Sequence, residues 1–374
     1  MTMKRRQFIR KAALGAAATT SLAATGCAPE STSRGSVGSN RPKIRWRLAS
    51  SFPEILDTIY GAGMMLAERV SQITDGNFSI RVYATGELVP GLQVLDAVQQ
   101  GTVQIGHTSG YYYIGKNPAL VFDTSVPFGL TARQQLAWLY HGGGLEFMRE
   151  VYADFNIINF VGGSTGAQMG GWFRRQIHTL QDLQGLKMRI PGLGGEVMSR
   201  LGVSVQNIAG GEIYQALEQG AIDATEWVGP YDDLKLGFHK VAPNYYYPGW
   251  WEPGPMLSFL VNRDAWDALP AEYQGALETA TAEASLSMLN RYDAQNPAAF
   301  QEILAQDVNV LPFSDDIMKA AYKEFTDVVE TAAAGDAMYG KIYEAWKKFR
   351  NESAAWFGTA EHAYLSFASK QIKG

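Results

Sequence analysis

The sequence predicts an α/β fold of two lobes, joined by a hinge and followed by a long C-terminal helical region. Three observations lead to this fold class. Strand and helix patterns alternate over residues 43–107, a second alternating run begins near residue 165, and helical periodicity prevails after residue 269. Alternation of strands and helices favours a mainly parallel sheet covered by helices. Two separate runs in a chain of 374 residues therefore predict two sheets, each at the centre of one lobe.

The first run has the order strand, helix, strand, helix, strand. Its first strand has the period of two that a half-buried strand requires, since Ile44, Trp46 and Leu48 alternate with polar residues. Its first helix has apolar residues at helical spacing and ends at Asp75-Gly76. The elements predicted for this run are strands over residues 43–50, 78–82 and 103–107 and helices over residues 55–73 and 92–101.

Three tyrosines follow the third predicted strand, in the loop Ser109-Gly110-Tyr111-Tyr112-Tyr113. Ligands of such sheets bind beyond the carboxyl ends of the strands, so this loop is expected to border a site. A tyrosine at that position offers a rigid ring and one hydroxyl to a small polar ligand. The alternative is that the three rings only cover apolar surface.

A short apolar strand, residues 157–161, opens into the glycine-rich loop of residues 161–173, and the second run begins within this loop, near residue 165. An apolar strand over residues 256–262 then returns to the first lobe, so the chain is expected to cross between the lobes twice. The C-terminal helices either pack on the lobes or add a dimer surface. The predicted division is residues 43–164 and 255–312 for lobe I, 165–254 for lobe II and 313–374 for the C-terminal helices.

Four polar residues lie at strand ends or in the adjoining loops, beside Gly, Pro or Trp: Gln168, Arg189, Glu226 and Glu252. Arg189 stands in an apolar context, which is unusual for a solvated surface charge. Its forked, permanently charged guanidinium is suited to hold a carboxylate through two parallel hydrogen bonds. The alternative role for Arg189 is a salt bridge within one lobe.

The two glutamates have tryptophan neighbours, so an aromatic cleft is expected around them. Two carboxylates that meet in such a cleft repel each other, and a cation between them removes this cost. Carboxylate and amide oxygens suit Na⁺ or Ca²⁺ better than a soft transition metal. A 2-oxo or 2-hydroxy acid could then chelate the cation while Arg189 holds its carboxylate. Taken singly, each glutamate could instead be a carboxylate at the rim of the cleft.

Residues 1–26 have the pattern of an export signal of the twin-arginine type, with Arg5-Arg6 in a basic segment. The end of this segment is similar to a lipobox. Cys27, the single cysteine, is therefore expected either to carry a lipid that tethers the protein to a membrane or to remain an inert thiol. Residues 27–42 are rich in Ser, Gly and Pro and predict a flexible leader.

The chain has a net charge of −5, and removal of the basic signal makes the rest more acidic. No nucleic-acid partner is expected for an acidic, exported protein. After the signal, no apolar run has the length of a membrane span.

Four segments carry a resemblance to a known family: GGSTGAQMGGWF, LKMRIPG, AIDATEWVGP and WWEPGP. Together they are similar to the substrate-binding proteins of TRAP transporters, the DctP-type family, and the similarity covers nearly all of residues 43–374. The sequence most resembles the branch that binds 2-oxo acids such as pyruvate, with lactate binders nearby.

The resemblance implies the two-lobe periplasmic binding protein fold, which closes over its ligand, and in some members a homodimer made by a swapped C-terminal helix. It also implies roles for individual residues. A cation, Na⁺ or Ca²⁺, would be held by Gln168, Glu226, the backbone carbonyl of Trp227 and Glu252. The substrate would contact Arg189, Gln168 and one of the two tyrosines Tyr111 and Tyr112.

The predicted function is that of a periplasmic solute receptor, which delivers a small carboxylate to the membrane permease subunits of a TRAP-type transporter and is not an enzyme. One alternative is a metal-dependent lyase or hydrolase of a 2-oxo acid, because a cation between carboxylates can act as a Lewis acid. The sequence contains no HExxH motif, which disfavours it. The other alternative is a structural exported lipoprotein without a cation in its cleft.

Overall fold

The computed structural model describes residues 41–372. The predicted export signal, Cys27 and nearly all of the predicted leader lie outside these residues. Within residues 41–372, no helix combines the length and the apolar character that a membrane crossing requires. The predicted fold class is confirmed, since two sheets are accompanied by many helices and a long helical C-terminal part.

Eleven strands are present in the described part of the chain. In chain order they are β1 Ile44–Ser50, β2 Phe78–Tyr83, β3 Ile105–Thr108, β4 Ile157–Ser164, β5 Trp172–Phe173, β6 Lys187–Arg189, β7 Ser204–Gln206, β8 Ala224–Thr225, β9 Asn244–Tyr247, β10 Met256–Asn262 and β11 Asn309–Pro312.

Thirteen α-helices accompany these strands within residues 41–372. They are α1 Ile59–Ile73, α2 Val94–Gln99, α3 Val121–Thr124, α4 Ala132–His141, α5 Gly144–Ala153, α6 Gly192–Arg200, α7 Ile213–Glu218, α8 Pro230–Leu236, α9 Arg263–Asp267, α10 Ala271–Leu304, α11 Asp315–Gly335, α12 Ala337–Phe357 and α13 Ala363–Ile372. A π-helical turn, Gly358–His362, joins α12 to α13.

The first sheet has the strand order β2-β1-β3-β10-β4. As predicted, β1, β2 and β3 are parallel. The returning strand β10 runs antiparallel to both β3 and β4, so the sheet is mixed. Two predicted boundaries were wrong: α1 begins at Ile59 instead of Ile55, and β4 continues through two glycines to Ser164.

The second sheet has the strand order β11-β9-β5-β8-β6-β7. Its outermost strand corrects the sequence-based division of the chain, which placed residues up to 312 with the first sheet. β11 pairs in parallel with β9, from Asn309 opposite Asn244 to Pro312 opposite Tyr247. The chain therefore passes between the two sheets three times, after β4, after β9 and through α10, and not twice as predicted.

Helix α10 is the third of these passages. It has 34 residues, with Pro297 in its interior. It packs on α1 and β4 beside the first sheet and on α8 beside the second. The C-terminal helices also touch both sides, because α11 packs on α6 while α12 packs on α4 and α5. Both apolar core clusters consequently contain residues from elements of both sheets.

Candidate functional site

One small cavity, of about 20 Å³, is bordered by loops from both sheets. Six of the seven residues predicted to bind the ligand or the cation line it. The seventh, Glu252, lies beside two of them, Tyr111 and Gln168. The lining residues are Phe52, Ile59, Ser109, Tyr111, Tyr112, Thr165, Gln168, Arg189, Glu226, Trp227, Val228, Pro255 and Leu257.

Backbone hydrogen bonds hold the predicted residues together. The N–H of Gln168 donates to the carbonyl of Glu252 at 3.2 Å, and the N–H of Glu226 donates to the carbonyl of Arg189 at 3.3 Å. The next residue after Gln168, Met169, donates to the carbonyl of Val228 at 3.1 Å. Segments distant in the sequence therefore meet at one place, which explains how four separate strand ends can form one site.

Glycines allow these segments to approach each other. Gly171 has φ +82°, and a Cβ there would collide with the carbonyl of Thr225, directly before Glu226. A Cβ at Gly249 would lie 2.5 Å from the carbonyl oxygen of Gln168. Any larger residue at either position would separate the strand ends, because backbone atoms cannot yield as a flexible side chain can.

Arg189 is buried beneath the cavity, with 1% of its side chain exposed. Its Nη1 forms an ion pair with Glu226, its Nε donates to the carbonyl of Ile208 at 3.0 Å, and its guanidinium lies 5.2 Å from the ring centroid of Trp227. Its Nη2 has no hydrogen-bond partner among residues 41–372. The salt bridge considered as an alternative is therefore present. The guanidinium still has one donor, Nη2, for a ligand carboxylate.

The two glutamates are buried and do not lie at a rim, since they are 1% and 4% exposed. Burial raises the pKa of Glu226 to about 7, although Arg189 acts in the opposite direction. The pKa of Glu252 is raised well above its ordinary value by burial and by the charge of Glu226. Ionising both groups is therefore costly unless a positive charge enters between them.

Two acceptor oxygens of this site lack partners within the described residues: Oε1 of Gln168 and Oε2 of Glu252. The amide nitrogen of Gln168 is engaged, because it donates to Thr165 Oγ1 at 3.1 Å. Buried acceptors normally have a donor or a cation. Oxygen atoms of this kind, together with a second carboxylate, fit Na⁺ or Ca²⁺ by ligand chemistry. Among residues 41–372, no group of three or more His, Cys, Asp or Glu residues suggests a different kind of metal centre.

The three consecutive tyrosines have different surroundings. Tyr111 lies near the carboxylate of Glu252, and Tyr112 lies near the guanidinium of Arg189. The hydroxyl of Tyr113 lies 2.9 Å from Thr108 Oγ1 and belongs to the core. Tyr111 and Tyr112 thus lie at the site beside different groups, a distinction that the sequence alone did not make.

Sequence reasoning missed the apolar wall of the cavity, formed by Phe52, Ile59 and Leu257. Phe52 lies in a turn beside the first strand, and a large apolar side chain in a turn is a signal that the residue could be buried. Leu257 has no signal of its own, because it belongs to a uniformly apolar strand. His107, the last residue of the third predicted strand, is absent from the cavity lining, and its Nε2 donates a hydrogen bond to the carbonyl of Gly162 at 3.0 Å. Burial lowers the pKa of His107 to about 4, which suits a neutral core residue.

Comparison with known proteins identifies the family. The family model of the bacterial extracellular solute-binding protein, family 7 (DctP), matches residues 50–336. A monocarboxylate 2-oxoacid-binding periplasmic protein of Nostoc sp. is 58% identical over 98% of this chain and 99% of its own length.

Solved structures agree with this result. A TRAP transporter solute-binding protein from Bordetella bronchiseptica, described as a mixed-occupancy dimer with calcium and picolinate, has a TM-score of 0.88 at 49% identity and covers 89% of this chain and 99% of its own. A protein from Pseudoalteromonas atlantica with bound sodium and pyruvate has a TM-score of 0.85 at 41% identity. One from Colwellia psychrerythraea with calcium and pyruvate has a TM-score of 0.84 at 39% identity. The last two each cover 87% of this chain and 99% of their own. As the sequence predicted, the chain belongs to the DctP family of TRAP transporter solute-binding proteins.

Proposed function

We propose that this protein is the extracytoplasmic receptor of a TRAP-type transporter and binds a small 2-oxo or 2-hydroxy monocarboxylate, such as pyruvate, together with a cation. One observation carries this proposal. Two buried acceptors, Gln168 Oε1 and Glu252 Oε2, and one buried donor, Arg189 Nη2, lack partners among residues 41–372 and belong to the same small site. A cation and a carboxylate are the complementary groups.

In this proposal the cation is held by Gln168, Glu226, the backbone carbonyl of Trp227 and Glu252. When bound, it offsets the repulsion between the two glutamates and offers coordination positions to the oxygens of the acid. The relatives with bound sodium and with bound calcium, each with pyruvate, support both ions as candidates.

The acid would bind with its carboxylate on Arg189 and Tyr112. Arg189 already has one charged partner, Glu226, so the ligand carboxylate is a second anion on the same guanidinium. A bound cation would make this arrangement favourable because it would offset the charge of Glu226. The apolar wall of Phe52, Ile59 and Leu257 would contact the alkyl group of the acid and favour a short chain.

Residues from both sheets border the cavity, which supports a receptor that closes on its ligand. Tyr111 and Tyr112 follow β3 of the first sheet, while Arg189 ends β6 and Glu226 follows β8 of the second. A ligand that contacts both groups favours the closed conformation by its differential affinity for that state. The closed form would then dock on the permease subunits, at the periplasmic side of the membrane.

The test is calorimetric titration with pyruvate, 2-oxobutyrate and lactate, each in Ca²⁺, in Na⁺ and without either ion. We expect heat of binding for at least one acid, and weaker binding without the cation. Absence of binding for all three acids in both ions would contradict the proposal. NMR of the incubated acid separates the receptor from the enzyme alternative, because a receptor leaves the acid unchanged while a lyase or hydrolase consumes it.

We also propose that the C-terminal helices form a homodimer. Five large apolar residues there are mostly solvent-exposed: Trp356, Tyr364, Leu365, Phe367 and Ile372. Such a cluster is typical of a surface that is covered by a partner. Light scattering of the full-length protein and of a variant truncated after residue 355 tests this, and a monomer in both cases would contradict it. Acylation at Cys27, read from the intact mass of the membrane fraction, tests the proposed lipid tether.

A further inference from the structure

Helix α8 carries two adjacent carboxylates that are both buried, Asp232 and Asp233. Each accepts a hydrogen bond from one tyrosine hydroxyl: Tyr292 donates to Asp232 at 2.7 Å and Tyr245 donates to Asp233 at 2.6 Å. They are therefore closely matched in burial and in one of their partners. Neither of them lines the cavity, and the proposed binding of acid and cation does not use them.

Their indole neighbours differ. The indole N–H of Trp172 donates a hydrogen bond to Asp233 at 2.9 Å, and both Trp172 and Tyr245 belong to strands of the second sheet. Asp232 instead lies close to the indole of Trp227, which lines the cavity. The indole N–H of Trp227 and Oδ1 of Asp232 are both without a fully formed hydrogen bond among residues 41–372. Asp232 and Trp227 thus lie close together without a hydrogen bond between them.

Trp227 connects Asp232 to the binding groups. Its ring lies over the guanidinium of Arg189, and on another side it presses on Gly210, where any Cβ would collide with the ring. Its carbonyl is one of the proposed cation ligands. A shift of the indole therefore moves the peptide that carries this carbonyl and the surface on which Arg189 rests.

Tyr292 connects Asp232 to the first sheet. It lies four residues after Met288 on α10, so the two side chains share one face of the helix. Met288 fills the space beside Gly163, which has φ +136° and lies in β4. The strand continues from there to the loop of Gln168. Asp232 thus lies between α10, which packs on the first sheet, and Trp227, which borders the site on the side of the second sheet.

We infer that Asp232 is a positioning residue for ligand binding: it receives the indole N–H of Trp227 when the site is filled and ties it through Tyr292 to α10. This inference rests on the proposed function. The carboxylate acts on the cation only through Trp227, so its loss weakens binding without removing a ligand. Asp233 lacks this link to α10 and to Trp227, since its two donors, Trp172 and Tyr245, both belong to the second sheet.

The test compares Asp232→Asn with the matched variant Asp233→Asn, with pyruvate and Ca²⁺ as probes. In Asp232→Asn, the amide oxygen can still accept from Tyr292, but the amide nitrogen in place of Oδ1 cannot accept from Trp227. In Asp233→Asn, the amide oxygen has two lone pairs and can still accept from both Tyr245 and Trp172, which donate to the same carboxylate oxygen. We expect about tenfold weaker binding for Asp232→Asn and less than threefold for Asp233→Asn. The Trp227 indole N–H signal, assigned with Trp227→Phe, should shift on ligand addition in the wild type and in Asp233→Asn but not in Asp232→Asn.

Two outcomes would overturn the role of Asp232 while leaving the receptor function in place. One is equal affinities for the two variants, and the other is a ligand-induced indole shift in Asp232→Asn as large as that in the wild type. Absence of binding by the wild type would overturn both. If Asp232→Asn does not fold, Tyr292→Phe replaces it, because this change removes only one hydroxyl. We expect about threefold weaker binding for Tyr292→Phe, and an unchanged affinity would contradict the link to α10.

Discussion

Two buried carboxylates of this molecule, Asp123 and Glu252, differ in how their oxygens are satisfied. Asp123, behind the first sheet, receives hydrogen bonds from Tyr152 at 2.7 Å, Ser258 at 2.5 Å and Asn159 at 3.2 Å. Glu252 has one oxygen that no donor reaches within residues 41–372. Because an unpaired buried carboxylate is costly, the first arrangement indicates a structural role and the second a place for a ligand.

The largest expected effect on stability is at Asp123. Its replacement by Ala leaves three buried donors without an acceptor, so we expect the free energy of unfolding to fall by about 3 kcal/mol or more. Urea denaturation of the ligand-free protein measures this. Pyruvate affinity of the fraction that folds should stay within about threefold of the wild type. A loss of affinity without loss of stability would place Asp123 among the binding groups and break the comparison.

Glu252→Gln is expected to behave in the opposite way. The ligand-free protein should be as stable as the wild type or more stable, because a buried charge with an unfavourable neighbour, Glu226, is removed. The affinity for Ca²⁺ should fall by about 100-fold, since a hard ligand loses its charge. Calorimetric titration of Ca²⁺ in the presence of pyruvate measures the affinity. Destabilisation as large as that of the Asp123 variant would contradict the distinction between the two carboxylates.

The pH dependence of stabilisation by the ligand also distinguishes a carboxylate of the site, Glu226, from the structural carboxylate Asp123. The pKa of Glu226 is about 7 in the ligand-free protein, above its ordinary value of 4.5, mainly because the group is buried. Its contribution to stability is therefore complete below pH 4.5 and is lost as the pH rises through 7. Cation binding favours the ionised form. The gain in melting temperature from Ca²⁺ with pyruvate should therefore increase from pH 5 to pH 8, and a constant gain would contradict the pKa assignment.

The two tyrosines allow a finer separation of the acid from the cation. Tyr112→Phe removes a hydroxyl beside Arg189 and should weaken acid binding by about tenfold, while Tyr111→Phe removes one beside Glu252 and should act mainly on the cation. Titrating acid at saturating Ca²⁺, and Ca²⁺ at saturating acid, distinguishes the two. The same effect of both variants on both titrations would show that the hydroxyls do not divide the site.

The smallest expected effect is at Asp57, which forms salt bridges with Lys235 of α8 and with Arg291 of α10. All three side chains are partly exposed, so the pairs contribute little, about 1 kcal/mol or less. Asp57→Asn should raise the dissociation rate of pyruvate by about two- to fivefold, more at low salt than at high salt. Stopped-flow measurements at two ionic strengths test this, with the exposed pair of Lys341 and Glu150 as a control site.

Sequence patterns predicted the parts of the fold that depend on local periodicity. β1, α1, β10 and the C-terminal helices were recognisable because their apolar residues repeat with the period of their element. β11 was not, because its residues are mostly half-exposed and its pairing with β9 depends on where α10 ends. β8 is short, because only Ala224 and Thr225 make ladder contacts before the chain turns into the site.

The candidate site could be predicted from the sequence because charged and amide side chains at strand ends, beside glycine and tryptophan, are conspicuous. What the sequence could not give were distances between segments. The ion pair between Arg189 and Glu226, the separate partners of Tyr111 and Tyr112, and the wall provided by Phe52 all depend on tertiary contacts. Those contacts join residues that lie tens of positions apart.

The three passages of the chain between the sheets constrain how the molecule can move. If only two chain passages joined the two sheets, one sheet could rotate about the line through those passages. A third passage that lies off this line prevents the rotation unless it can bend. Here the third passage is α10, a rod about 50 Å long by the helical rise. Pro297 lacks the N–H that would bond to the carbonyl of residue 293, so the rod is most easily bent there. The work of opening the cleft is therefore expected to be concentrated in a single turn of one helix.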